Sequence, residues 1–333
     1  MGKLAINELK RLLTCIRPDL RVIVPPQMGF DAGVHQLGDK YVVVATDPCV
    51  GVPEEWFGFL LINYAASDVT LFGARPEFCT ITLMGPLSTK PDKFQAAMAQ
   101  VCSAANELGI AIVRGHTGTY GGIEELTGVC TVYGTALPEN LLTPAKVEAE
   151  DLILCTKPIG LETVVNFCLT HKARAQKLFG EERAEELSGR VPMQSCVREA
   201  LQLAEYGGVH AMHDATEGGF VSALNELSEV TKLGFRVDCD QLPIVPEARI
   251  LQIEFGLSDE QVLSMSSTGT ILAAVDAEVK EKVEDTLENI GLHASFVGKF
   301  IQNRNCTVVQ NKKEMLFPRV AQDPYSQIMM AKT

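Results

Sequence analysis

A chain of 333 residues with a formal charge of -13 is too long for one average domain, and too acidic to offer a general surface to nucleic acid or to an anionic membrane. Apolar residues make up 46% and charged residues 21%, the balance of a globular protein with a large core, and no apolar run approaches the ~20 residues of a membrane span. If such a chain binds a polyphosphate, a metal ion must offset the repulsion.

In chain order, Leu4, Ile6, Leu9, Leu12 and Leu13 recur at helical spacing over residues 4–16, with Pro18 beyond. The N-terminus lacks the apolar core of a signal peptide. The ten cysteines, spread from Cys15 to Cys306 without a Cys-x-x-Cys pair, suit neither a metal cluster nor a disulfide framework, which points to a reducing cytoplasm. Gln27-Met28-Gly29-Phe30-Asp31-Ala32-Gly33 then sets Asp31 between glycines. That is either a plain turn or a carboxylate that permissive backbone brings close to a ligand.

Residues 41–76 organise the first half. Tyr41 and three valines read as a buried strand closed by Thr46-Asp47-Pro48, so that Asp47 stands at its end. Phe57, Leu60, Leu61, Tyr64 and Ala65 then mark a helix that also carries Asn63 and Asp68 and stops at Gly73 and Pro76. Two carboxylates on such a unit suit a divalent cation and its anionic ligand, and equally an ordinary β-to-α connection with an Asp cap. Residues 77–84 read as a strand, 93–108 as an amphipathic helix ending at Gly109, and 110–113 as a strand entering Arg114-Gly115-His116-Thr117-Gly118. His116 is there a turn histidine or a group in the site. A strand over residues 127–136 closes this half.

The polar, proline-marked residues 138–150 place a boundary, giving domains 1–145 and 146–333. The second half opens with a strand at 152–156 and the turn Lys157-Pro158-Ile159-Gly160-Leu161-Glu162, followed by charged helical stretches at 173–187 and 193–206. Next come His213-Asp214-Ala215-Thr216-Glu217-Gly218-Gly219-Phe220 and a helix with Ala223, Leu224, Leu227 and Val230. An acid, a hydroxyl and two glycines at a helix start suit a phosphate, although Asp and Thr are also good caps. Strands at 270–275, 294–301 and 306–309 flank a helix at 279–290. The alternation makes the chain α/β or α+β.

The ordered set Gly29-Phe30-Asp31, Thr46-Asp47, Asn63 through Asp68, Gly73-Ala74-Arg75-Pro76, Gly115-His116-Thr117 and Asp214-Ala215-Thr216-Glu217-Gly218-Gly219 with Asn225-Glu226 resembles the aminoimidazole-ribotide synthetase (PurM-like) superfamily of ATP-binding proteins. Within it the chain is most similar to the hydrogenase-maturation proteins HypE. The resemblance implies a two-domain fold: a first domain that builds a dimer sheet or barrel with its copy, and a second domain of mixed sheet and helices. It implies ATP and Mg2+ as cofactors, with Asp31, Asp47, Asp68 and Asp214 as metal ligands and Asp47, His116 and Asp214 at the chemistry. Asn63, Gly115, Thr117, Thr216, Gly218 and Gly219 would line the nucleotide or substrate. Three departures stand out. Phe30 replaces one of two adjacent acids in many relatives; His116 stands where many carry Asp or Glu, although selenophosphate synthetases resemble this chain in having a Gly-His-Ser/Thr sequence there; and the sequence ends at Thr333, without the terminal cysteine of HypE.

The function implied is Mg-ATP-dependent phosphorylation of a small-molecule acceptor at an amide-like oxygen or similar nucleophile, by a cytoplasmic homodimer. A small-molecule kinase like thiamine-phosphate kinase is an alternative, and an ATP-sensing or scaffold dimer is one of another class. Cys306, followed by the strand residues Thr307-Val308-Val309, is not expected to serve as a mobile thiol acceptor, so the substrate should enter from solution.

Overall fold

The computed structural model describes residues 6–331 and divides them into two units, one of residues 18–26 and 31–141, the other of residues 6–17, 27–30 and 142–331. The first helix, α1, covers Ile6–Leu13; Leu4, the first residue of the expected helix, lies outside the described residues. Both α1 and Gln27–Phe30 count with the C-terminal unit, whereas the sequence reading placed them in the first domain. Gly29 shows why. Its φ is +75°, and a Cβ there would stand 2.8 Å from Val230 Cγ2 and 3.1 Å from the Glu226 carbonyl oxygen, so only glycine lets this backbone lie so close to the C-terminal unit. No helix of the described residues is long and apolar enough to cross a membrane.

The N-terminal unit is a six-stranded sheet formed by β1 (Val22–Val24), β2 (Gly33–Leu37), β3 (Lys40–Cys49), β4 (Phe78–Gly85), β5 (Ala111–Thr119) and β6 (Thr127–Ala136). The order is β1-β2-β3-β6-β4-β5, and every pairing is antiparallel except β4 with β5. β3 extends through Thr46-Asp47-Pro48, which the sequence reading took as a strand end, because β6 matches it from Tyr41 opposite Ala136 to Cys49 opposite Gly128. β2 reaches only as far as Val44, so Pro48 has β6 as its sole neighbour and its missing N–H can face the open side. α2 (Phe57–Leu71) and α3 (Pro91–Leu108) pack on each other, and α2 covers one face of the sheet. A Cβ on Gly58 would meet the Val101 backbone at 2.4 Å, which marks where the two helices approach most closely. That approach explains why α2 is buried on nearly every side despite its polar residues.

The C-terminal unit holds a seven-stranded sheet formed by β7 (Leu152–Cys155), β8 (Val209–Ala215), β9 (Gly234–Asp238), β10 (Ser267–Val275), β11 (Ser295–Ile301), β12 (Cys306–Gln310) and β13 (Lys313–Leu316). Its order is β13-β12-β9-β11-β7-β10-β8, with β12 and β9 the one parallel pair. β10 runs between β7 and β8 and is buried along its whole length, as its apolar run requires. The helices are α4 (Leu161–Thr170), α5 (Lys172–Phe179), α6 (Glu181–Ser188), α7 (Val197–Leu203), α8 (Gly219–Thr231), α9 (Pro246–Phe255), α10 (Asp259–Leu263), α11 (Lys280–Asn289) and α12 (Tyr325–Met329). The charged stretch read as one helix is split into α5 and α6 at Gly180, whose φ of +87° no helix accommodates. On one side of the sheet Phe220 of α8, Phe235, Phe300 and Phe317 form a core, with the rings of Phe235 and Phe317 edge to face at 4.9 Å.

Candidate functional site

In the N-terminal unit the strand register decides which predicted residues share a surface. Paired residues of neighbouring strands point to the same face, and successive residues alternate. Asp47 lies opposite Cys130, Cys130 opposite Ile81, and Ile81 opposite Gly115, so these four form one row across the sheet. That row is on the face covered by α2, where Val43, Ala45 and Cys49 are buried and Asp47 is half-buried. Thr117 belongs to the same face through Leu83 and Gly128; a Cβ on Gly128 would meet Leu61 of α2 at 2.8 Å.

His116 is one residue out of step. It lies opposite Thr82, which pairs with Val129, which pairs with Pro48, and this row faces away from α2. Within one protomer His116 and Asp47 are therefore on opposite faces and three strand spacings apart, about 14 Å. His116 is exposed, and its Nε2 is 2.5 Å from the Tyr120 hydroxyl, so it is neither a turn residue nor a neighbour of Asp47. Gly115 lies within β5 and not in a turn: a Cβ there would come 2.7 Å from the Ile81 carbonyl oxygen.

Asp68 is half-buried on α2, one turn beyond Tyr64. Asn63 is buried, and its side-chain amide donates to the Phe59 carbonyl oxygen (2.9 Å), so that donor is spent within the helix. Asp31 is half-buried and lies two residues before the start of β2, with Ala32 between.

In the C-terminal unit Asp214 is 3% exposed near the end of β8, opposite Ile271. The β8–β10 register slips between Ser267 and Ile271, so the last residues of β8 leave the regular ladder. His213, which the sequence reading did not single out, brings a ring nitrogen within 4.8 Å of the Asp214 carboxylate. The turn after β8 closes with the Gly219 N–H donating to the Thr216 carbonyl oxygen (2.9 Å), and α8 starts at Gly219. Gly218 (φ +80°) and Gly219 (φ +54°) are both left-handed, and a Cβ on Gly219 would stand 2.3 Å from the Met265 carbonyl oxygen. The Gly218 N–H donates to Asp323 Oδ2 (2.9 Å), so a carboxylate of the chain itself meets this helix start.

Asp323 also accepts from Ser266 Oγ (2.6 Å) and the Tyr325 N–H (2.9 Å). Close by, Glu162 Oε2 accepts from the Thr268 N–H (3.0 Å) and Oγ1 (2.7 Å). Burial pushes the Glu162 carboxyl up to about 7 against these two hydrogen bonds, and the charges of Glu217 and Asp323 add to the rise. Burial also raises the Tyr325 phenol, with help from the Glu162 charge. In sequence Glu162 looks like any first-turn helix acid, and Asp323 is 105 residues from Gly218, so no local pattern signals either one. Cys306 opens β12 and is 1% exposed, with Ser228 Oγ 3.3 Å from its sulfur.

Residues 29–136 match the family model described as AIR synthase related protein, N-terminal domain, and residues 148–311 match the C-terminal domain of the same description. Among curated proteins, the selenide, water dikinase of Porphyromonas gingivalis is 26% identical over 313 residues, covering 84% of this chain and 85% of that protein. Among solved structures, Escherichia coli HypE superposes with a TM-score of 0.74 at 20% identity, covering 97% of this chain and 99% of the other. The hydrogenase maturation protein HypE in complex with ATP gives a TM-score of 0.71 at 18% identity, covering 94% and 91%.

Proposed function

This chain belongs to the AIR synthase related family, both of whose domains it carries, and we propose that it is a Mg-ATP-dependent enzyme that transfers the γ-phosphoryl group to an oxygen of a small-molecule acceptor. The observation that carries this reading is the 3% exposed carboxylate of Asp214, held beside His213 at the mouth of a turn with two left-handed glycines. In a chain of charge -13 a divalent cation offsets the repulsion between such a carboxylate and a polyphosphate. A HypE structure in complex with ATP supports the choice of nucleotide.

The donor set fits Mg2+: Asp31, Asp47, Asp68 and Asp214 offer hard carboxylate oxygens. An ion held on such oxygens would supply positive charge against the phosphates. Asp47 is fixed by the β3–β6 ladder and Asp68 by the buried body of α2, so neither carboxylate needs reorganising when nucleotide arrives. Gly115 and Thr117 line the covered face of the first sheet, while Thr216, Gly218 and Gly219 shape the turn that presents Asp214. Asn63 supports α2 one turn before Ser67 and Asp68. His116, expected at the chemistry with Asp47, is left out of it in this reading because its row of the first sheet faces away from Asp47.

Titration calorimetry with Mg-ATP tests the assignment. Asp47→Asn, Asp68→Asn and Asp214→Asn should each weaken binding by about tenfold or more, the worth of a charged contact, while Asp39→Asn, in the exposed turn between β2 and β3, should not. Equal affinity in all four variants overturns the site.

A further inference from the structure

His213 stands on the face of β8 that packs against α8, since Ala211 and Ala215, on the same face, belong to one core with Phe220 and Leu224. Its ring is 2% exposed, and Nε2 lies 3.4 Å from Oε2 of Glu226, whose other oxygen accepts from Ser222 Oγ (2.7 Å). An ionised carboxylate only accepts, so the proton of this contact is on Nε2 and the lone pair of the ring is on Nδ1. Successive residues of a strand face opposite ways, yet a ring nitrogen of His213 and a carboxylate oxygen of Asp214 come within 4.8 Å of each other, with both side chains buried. They converge at the C-terminal end of β8, beside the slip in the β8–β10 ladder. As a device for stability this is a poor choice, because an apolar side chain of similar volume would fill the core without desolvating any charge. It is instead the arrangement of a metal-ligating histidine, with one nitrogen directed to the ion and the N–H of the other held on a carboxylate that fixes the ring.

We propose that His213 ligates, through Nδ1, the cation held on Asp214, with Glu226 and Ser222 fixing the ring, and that this nitrogen makes the position select a first-row transition ion such as Mn2+ over Mg2+. The inference rests on the reading that puts a cation at Asp214. Mg2+ is a hard ion that takes oxygen ligands and gives up its waters reluctantly, whereas imidazole suits the transition ions. Mn2+ accepts carboxylate oxygen and imidazole nitrogen alike, so a mixed pair of donors favours it. Glu226 acts through His213 and is a positioning residue: it sets which nitrogen carries the lone pair and where that lone pair points.

Mn2+ titrated into the full-length protein without nucleotide, followed by electron paramagnetic resonance, tests this, with spin-echo modulation reporting a directly bound nitrogen. Expected is a bound Mn2+ that carries the nitrogen signal and that Mg2+ displaces only in large excess. Glu226→Gln leaves the ring in place, so it should keep the signal and weaken Mn2+ binding about tenfold, the usual cost of losing the carboxylate behind a ligating histidine. His213→Gln should weaken binding at least as much, bring the Mn2+ and Mg2+ affinities closer together, and abolish a signal that any of the six histidines could otherwise supply. If His213→Gln does not fold, the native signal and the loss in Glu226→Gln carry the test. Absence of Mn2+ binding, binding without the nitrogen signal, or a signal retained in His213→Gln overturns the inference and leaves His213 a buried partner of Glu226. If Mg-ATP binds in calorimetry and the nitrogen signal is missing, this inference fails alone; if the signal is present and Mg-ATP does not bind, the phosphoryl-transfer reading fails and the nitrogen-ligated cation stands.

Discussion

The carboxyl of Glu162 keeps its proton up to about pH 7, first because burial withholds water from the carboxylate and then because Glu217 and Asp323 oppose another negative charge. In the unfolded chain the same group titrates near its ordinary value of 4.5. Between those values the native state binds more protons than the unfolded state, so this group makes stability fall as pH rises from about 4.5 to 7, with no further change above. At about 1.4 kcal/mol per pKa unit the loss is roughly 3 kcal/mol. Urea unfolding at pH 5 and pH 8 checks this: the stability of the native protein relative to Glu162→Gln should drop by that amount between the two pH values. The subtraction removes the other acids, among them Asp259, whose carboxyl is held low by hydrogen bonds from Gln252 and Arg249. A constant difference between the two proteins would show that Glu162 titrates as an exposed carboxyl.

At the scale of elements, the entry to α8 is fixed by close approach as much as by backbone angle. Gly219 and Gly256 both have positive φ, +54° and +62°, but a Cβ on Gly219 meets the Met265 carbonyl oxygen at 2.3 Å, whereas nothing lies within 4 Å of one on Gly256. Gly256→Ala, at the C-terminal end of α9, should cost about 1 kcal/mol for the left-handed conformation alone. Gly219→Ala should cost about 1–3 kcal/mol more, because the Met265 backbone is tied down and has to move. Equal losses in thermal unfolding would mean that the segment around Met265 yields freely.

On the scale of the whole molecule, the N-terminal sheet has one face under α2 and another that no helix of its unit covers. On that second face Phe78 and Tyr133 stack at 5.5 Å and, with His35, Leu37, Val42 and Val44, line a hollow of about 420 Å³. Phe78 is 40% and Leu37 65% exposed, and β5 pairs on one side only, with an exposed Val113 at its bulge. A half-apolar sheet face beside an open edge is covered most economically by a second copy of itself. Light scattering at micromolar concentration should give twice the 36.2 kDa chain mass. Phe78→Asp, which places a charge on that face, should give the single mass; a monomeric native protein would refute the pairing.

By itself the sequence determined the class of fold and most of its elements, because the period of apolar residues records which faces are buried: β6, α3 and β10 fall where their patterns put them. It also determined which acids to weigh, since Asp31 and Asp214 stand out beside or close to glycines, Asp47 at the expected end of a strand and Asp68 within the helix that follows it. The weak strands β1, β2 and β9 and the helix α9 escaped it, for their short segments carry too few apolar repeats to show a period. What only the tertiary structure decided is which side chains meet. A strand register shifted by one residue reverses its face, and that single step separates His116 from Asp47 although both belong to the same ordered motif set. Burial is likewise a property of what packs around a residue and not of the residue, so the proton on Glu162 and the carboxylate of Asp323 at the start of α8 became visible only when distant segments were brought together.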